Sequence, residues 1–406
     1  MKITILSAGE IGGAGGAAKN LQKGLMHLGV SVSFISEEKV ASLRVNIFPK
    51  LKQWWQVRKN ILRNSKYLNK APAGFDHFSF GRTGYQGLHE HAEVKTGDVI
   101  SLHWLSYLID YPTFFKQINK PLIWTLHDTN LFTGGCHYTF GCQKYETDCA
   151  DCPQLAAGVR AYAAKDNLKI KIDSLKHINP ANVVVVSPSV WLKNMSEKSI
   201  LFKGYQHFHI PYGIDTDVYK RLDKTQSRVK LGLGNDKLVV LFVATSISEH
   251  RKGFDIILKL SDELKHRDDI QFVAVGKTDE SYPNILNLGY IKDSNSIAMA
   301  YSAADVFIIP SRQDNLPNTM LEALCCGTPV IGYKTGGIID AIQHGENGFL
   351  VDQENVTDIV EYLMAMNNKT IVFNNDKISE NARQKYSLEK QALAYKEIIE
   401  ELFSIT

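Results

Sequence analysis

Short apolar runs rich in β-branched residues recur along this chain, separated by polar, glycine-bearing stretches of helix length. Lys2–Leu6, Ser31–Ile35, Asp98–His103, Pro121–Leu126 and Val183–Val186 read as buried parallel strands in the first half. Leu238–Ala244, Phe272–Val275, Val306–Pro310 and Val330–Tyr333 do so in the second half. Between and after them the pattern predicts helices at Asn20–Leu28, closed by Gly29, near Asn318, from Ile338, and over Ser387–Phe403. In the last of these Leu388, Leu393, Tyr395, Ile398, Ile399 and Leu402 have amphipathic spacing. Alternating strands and helices predict an α/β protein with parallel sheets. A chain of 406 residues exceeds one ordinary core and predicts two domains of about 200 residues each.

Net charge, at +3, leaves no global footprint for nucleic acid, so no nucleic-acid partner is expected. No apolar run is long enough to span a membrane, and Met1–Ser7 reads as a first strand rather than a signal peptide. The expectation is a cytoplasmic protein. Lys50–Lys70 departs from its surroundings, with seven Lys or Arg, no acid and the pair Trp54-Trp55. That composition suits an interfacial helix on an anionic membrane, which would make the protein peripheral on the inner face. It equally suits a surface helix whose tryptophans pack on their own domain.

Candidate chemistry gathers where strands end. After the first strand, Gly12, Gly13, Gly15 and Gly16 let the backbone approach a ligand. Their spacing is not G-x-G-x-x-G, yet Glu37 and Glu38 follow about twenty residues on, so a dinucleotide site stays open. His127 and Asp128 stand at the carboxyl end of a strand, where open α/β sheets bind ligands. A histidine there either addresses a ligand, with Asp128 as its orienter or a weaker base, or bonds the loop backbone. Asp314 and Asn315 occupy the same position after Val306–Pro310, and Glu322 follows Asp314 by eight residues, about 2.2 helical turns. Two acids so spaced can address different ends of one elongated ligand, with Asn318 and Thr319 between them at a helix start that attracts phosphate. A capped helix with a buried glutamate is the plainer reading. Arg251 and Lys252 suit phosphate, or are solvated surface charges, and Gly336 and Gly337 lead another helix start.

Ser311–Gly332 resembles the acid-x7-acid stretch of retaining, nucleotide-sugar-dependent glycosyltransferases of family 4, GT-B type, with Asp314 where Glu is more frequent. Trp124-Thr-Leu-His-Asp, Thr133-Gly-Gly-Cys, the phrase Cys152-Pro-Gln-Leu, Ser187-Pro-Ser-x-Trp191 and Pro211-Tyr-Gly-Ile-Asp215 resemble its colanic-acid, exopolysaccharide and capsule branch. The resemblance implies two Rossmann-like domains facing across a cleft. Residues 1–210 would form the acceptor domain, completed by the helix 387–406, and 211–386 the nucleotide-sugar donor domain. It implies transfer of a sugar from a nucleotide diphosphate to a hydroxyl of a glycan acceptor on a lipid carrier, without catalytic metal or organic cofactor. Asp314 would meet the donor sugar, Glu322 the ribose, Lys252 the diphosphate, Gly15 and Gly16 the donor phosphate or the acceptor, and His127-Asp128 the acceptor wall. Ser246 stands where the family carries a second phosphate-binding Arg, and Tyr212 where it carries Asn. A GT-B epimerase or phosphorylase, or a nucleotide-sugar-binding protein without catalysis, would share much of this; donor turnover with a cell lipid extract separates them.

Four of six cysteines, Cys136, Cys142, Cys149 and Cys152, crowd into seventeen residues and end in Cys-x2-Cys. Such thiols can close a tetrahedral structural zinc site, with His137 able to replace one of them, or remain reduced, or pair as disulfides.

Overall fold

The computed structural model describes residues 1–38, 78–82, 87–247 and 249–404, with positions 55, 58, 59, 62, 65, 67, 68 and 72 between them. The basic stretch Lys50–Lys70, including Trp54, lies outside the described residues apart from those isolated positions. The chain divides into two compact units, Met1–Pro211 with Gln391–Thr406, and Tyr212–Lys390.

The first unit is built on six parallel strands, β1 (Lys2–Leu6), β2 (Ser31–Ile35), β3 (Val99–Leu102), β4 (Leu122–Thr125), β5 (Val183–Ser187) and β6 (Gln206–His209), in the order β2-β1-β3-β4-β5-β6. Strand periodicity sorts each run onto two faces. Ile3, Ile5, Ile123, Val184 and Val186 meet the helix Gly12–His27 and the final helix on one side. Leu102, Leu122, Trp124, Val183 and Val185 meet Phe114, Phe115 and Phe202 on the other. Both faces are covered, which is why the strands lack polar alternation. The final helix, Leu388–Ser404, supplies Ala392, Tyr395, Ile398, Ile399 and Leu402 to this core, and Tyr395 shares a 2.8 Å hydrogen bond with Thr125. Leu393, expected on the apolar stripe, is exposed; Ala392, one position earlier, takes the inner face.

The second unit repeats the plan with β7 (Leu238–Ser246), β8 (Ile270–Lys277), β9 (Ile285–Asn287), β10 (Val306–Ile309), β11 (Val330–Tyr333) and β12 (Gly348–Val351), ordered β12-β11-β10-β7-β8-β9. Counted within the unit this is the doubly wound order 3-2-1-4-5-6, whose switch point falls between β7 and β10. The corresponding reversal in the first unit falls between β1 and β3. Both sheets are Rossmann-like, as expected. The helix after β1 begins at Gly12, not Asn20, so the glycines form its first turn and the loop proper is shorter. Gly15 is required there: a Cβ would lie 2.7 Å from the carbonyl oxygen of Gly9.

Candidate functional site

In the second unit the loops leaving β7 and β10, the two strands at the switch point, are locked together by charge. Lys252, at the end of the turn His250–Lys252, places Nζ 2.6 Å from Oδ2 of Asp314. Arg251 Nη1 approaches the same oxygen at 3.1 Å and donates to the Gln313 carbonyl, while Nη2 lies 2.6 Å from Glu249. Arg312 donates its backbone N–H to the Arg251 carbonyl and its guanidinium to Asp255. Asp314 is buried. Burial alone would raise its pKa, but Lys252 and then Arg251 outweigh that and hold it at about 2. The carboxylate is therefore ionised at neutral pH.

The glycine turn after β11 completes this corner. Gly336, at φ 53°, passes so close to the Asp314 carbonyl that a Cβ would stand 1.7 Å from its oxygen, and the Gly337 N–H donates to that oxygen at 3.2 Å. The expected anion-binding helix start here is slight, because the helix that follows is only Ile338–Ala341. Gly336 and Gly337 instead fix the Asp314 backbone.

Glu322 sits on the helix Asn318–Cys325, whose start carries the partly buried Asn318 and Thr319. Asn315 is buried, with Nδ2 3.4 Å from the hydroxyl of Tyr212. Tyr301 donates its hydroxyl to Glu322 Oε2 at 3.1 Å, and Tyr219 bonds the same carboxyl. Burial pushes Glu322 up to about 7, against the lowering effect of both tyrosines. Two acids on one loop and helix thus have opposite characters: one charged down to strongly acid pH, the other titrating near neutrality.

In the first unit β3 runs out through Leu102-His103 and β4 through Leu126-His127. His103 Nδ1 and His127 Nε2 share a 2.9 Å hydrogen bond, and Ser101 Oγ lies 3.1 Å from His103 Nε2. Burial holds both below the ordinary histidine range, His127 at about 4, where Asp128 only partly opposes it, and His103 well below, with His127 adding to the effect. Both imidazoles are neutral at pH 7 and can serve a hydroxyl group as hydrogen-bond partners, not as a cation for phosphate.

The expected pairing of Asp128 with His127 is not what the fold makes. Asp128 Oδ2 accepts from His137 Nδ1 at 2.6 Å, Oδ1 accepts from the Asn130 N–H, and His137 Nε2 meets Ser79 Oγ at 2.9 Å. The physical reason is the turn at 128–130, which carries Asp128 toward the returning loop while His127 faces the neighbouring strand end. Burial opposes ionisation of Asp128, but His137 and the Asn130 amide lower its pKa on balance.

The loop after His127 holds all four clustered cysteines. They line one small cavity with Thr133, Gly134 and Tyr145. All are free thiols, and burial raises Cys136, Cys149 and Cys152, Cys149 to about 12. Buried Lys171 donates to the carbonyls of Asn130 and, at 3.1 Å, Thr133.

The structure thus brings Arg251, Lys252, Asp314, Gly336 and Gly337 to one corner and Asn318, Thr319 and Glu322 to the following helix. Gly15 and Gly16 lie in the first turn after β1, and His127 belongs to a histidine pair. Sequence reasoning missed His103, Glu249, Tyr219, Tyr301 and Lys171, and read His137 as an alternative metal ligand rather than as the partner of Asp128. Only His103 left a usable sign, since Leu102-His103 repeats the strand-end pattern of Leu126-His127.

A fold of two Rossmann-like units with charged loops at the switch point is that of the GT-B class, and comparison bears this out. Residues 223–385 match the family model described as Glycosyl transferases group 1. Sucrose-phosphate synthase from Thermosynechococcus elongatus has a similar structure, with TM-score 0.67 at 17% identity over 100% of both chains. Anabaena Alr3699/HepE in complex with UDP-glucose gives 0.62 at 16% identity, over 99% of this chain and 100% of that one. The protein provisionally assigned as the colanic acid biosynthesis glycosyl transferase WcaC of Escherichia coli K12 is 27% identical over 65% of each chain. Other curated relatives, among them D-inositol 3-phosphate glycosyltransferases, are matched over less than half their length.

Proposed function

We propose that the protein is a retaining glycosyltransferase of the family 4 type, moving a sugar from a nucleoside diphosphate to a hydroxyl of a lipid-linked glycan in surface polysaccharide biosynthesis. The observation that carries the reading is the Lys252–Asp314 pair at the switch point, followed eight residues later by a carboxyl that titrates near neutrality. The match to the glycosyl transferases group 1 model and the similarity to a UDP-glucose complex support the donor class, and the relation to WcaC supports the polysaccharide role.

In this reaction the bond from C1 to the diphosphate oxygen breaks as a new bond to the acceptor oxygen forms. The nucleoside diphosphate leaves with the electron pair, and the acceptor's proton goes to the departing phosphate or solvent. C1 gains oxocarbenium character, and negative charge grows on the diphosphate. Lys252 supplies a cation for that charge, exchanging part of its bond to Asp314 for one to phosphate. Asp314 then turns its ionised carboxylate to the donor sugar. Glu322, once ionised, accepts hydrogen bonds from the ribose hydroxyls. Neutral His127, held by His103, positions the reacting hydroxyl. These roles draw on protein side chains alone. The chain has no helix, among the described residues, long and apolar enough to cross a membrane, so a lipid-linked acceptor would be met at the membrane surface.

The test is calorimetry of the full chain against UDP, GDP and ADP and their sugars, followed by turnover with a cell lipid extract. Binding of one nucleotide with transfer of its sugar into lipid-extractable material, the anomeric configuration retained, supports the reading. Binding of none overturns it.

A further inference from the structure

The cysteine-bearing loop is the part of the molecule that sugar transfer does not explain. Residues 126–162 contain two short 3-10 turns and neither a strand nor an α-helix, yet Tyr145, Cys149, Cys152 and Leu155 within them are buried. A connection of this length without secondary structure needs another source of order. Three of the six non-glycine residues at positive φ among the described residues fall here: Phe140 at 47°, Cys149 at 56° and Asp151 at 50°. Each is costly unless the surrounding structure over-determines it. They precede or flank Cys142 and the Cys149–Cys152 pair, turning the backbone so that its thiols reach one cavity. The Gly134 N–H already donates to Cys149 Sγ at 3.2 Å, fixing that sulfur against the loop backbone.

We propose that Cys136, Cys142, Cys149 and Cys152 close on one zinc ion, forming a structural site that staples this loop to the first sheet. As the thiols stand, no group of three or more His, Cys, Asp or Glu among the described residues has metal-ligand spacing. Closure therefore requires them to turn into the cavity they share. A change of χ1 well moves a sulfur by roughly 3 Å, a displacement of the same order as a Zn–S bond of about 2.3 Å.

Charge supports a cation with four thiolates. On binding, four thiols release four protons to solvent, and the ion with four thiolates carries a net charge of minus two. Lys171 is fully buried beside this loop, bonded to two backbone carbonyls, and among the described residues no carboxylate stands within ion-pair distance of it. Its charge acts on Cys136 and Cys149. A buried ammonium opposed only by the more distant Asp128 charge is expensive, and an anionic cluster alongside would offset it. Soft sulfur ligands in a tetrahedral set select zinc over magnesium or calcium, and four protein ligands leave no open position for substrate.

The experiment uses the full chain purified with reductant and without chelator. Elemental analysis should find about one zinc per chain, and exchange for Co2+ should give the thiolate charge-transfer and tetrahedral d–d bands. Cys142→Ser, at the half-buried ligand, should lower zinc below about 0.2 per chain and abolish those bands while far-UV circular dichroism and nucleotide binding persist. Less than about 0.2 zinc per wild-type chain with four thiols titrating freely would overturn the site, as would two disulfides in the intact mass. Loss of nucleotide binding by the wild-type protein leaves this result untouched and bears only on the proposed activity.

Discussion

The corner around Asp314 and the strand ends around His103 and His127 both lie at the carboxyl ends of parallel strands, the first at a reversal of strand order and the second on β3 beside one and on its neighbour β4, but they handle charge in opposite ways. At Asp314 burial is overcome by two cations, and the group stays ionised. At His103 and His127 burial meets no sufficient counter-charge, and both rings stay neutral. Asp128, the obvious counter-charge by sequence, is spent on His137. Environment, not residue type, decides which of these groups stay charged and which stay neutral.

The largest effect that would break this contrast comes from Lys252→Met. Turnover should fall about 100- to 1,000-fold, since a cation at the leaving diphosphate acts chiefly as charge develops. A fall of less than about 3-fold in kcat would show that the corner is structural only. Asp314→Asn should likewise act mainly on turnover, with nucleotide affinity nearly kept.

Glu322 gives the next effect. Its folded-state pKa, about 7 against an ordinary 4.5, means the folded protein keeps a proton that the unfolded chain loses across that window. Stability from this group therefore falls as pH rises from 4.5 to 7. Nucleotide binding should move the other way, tightening as the carboxylate forms between roughly pH 6 and 8. Glu322→Gln should weaken binding about 10-fold and flatten that pH dependence in calorimetry. A pH dependence unchanged in the variant would remove Glu322 from the binding site.

Asp314 supplies a stability test of the opposite sign. Held at about 2 against an ordinary 3.8, it contributes stability that is complete above pH 3.8 and lost as pH falls toward 2. The contribution is about 2 kcal/mol, so urea midpoints of wild type and Asp314→Asn should converge on acidification through that window.

The smallest effect should come from the histidine pair. His103→Gln is expected to lower turnover about 10-fold while leaving nucleotide affinity unchanged, because it removes the partner that orients His127. An equal loss of nucleotide affinity would mean that the pair holds the fold together rather than the hydroxyl.

Most strands were legible because buried parallel strands declare themselves as uninterrupted β-branched runs, and Val330–Tyr333 needed no adjustment at either end. Asp314 and Glu322 were legible through their spacing on one loop and helix. Glycine misled at the first helix, where propensity argues for a loop but the fold uses the missing side chains for close approach at Gly15. The Asp128 pairing was illegible because a neighbour in sequence is no guide to which way a turn sends each side chain.

What the sequence determined by itself is therefore local: where strands begin and end, which residues stand at their carboxyl ends, and the spacing that places two acids on one segment. What only the tertiary structure decided is which strands lie side by side. Pairing β7 with β10 brought Lys252 to Asp314, and pairing β3 with β4 brought His103 to His127. Packing likewise chose Ala392 over Leu393 for the core and surrounded Glu322 with two tyrosines. Protonation states follow from such non-local neighbours and from burial, quantities that strand order sets and that residue spacing along the chain does not contain.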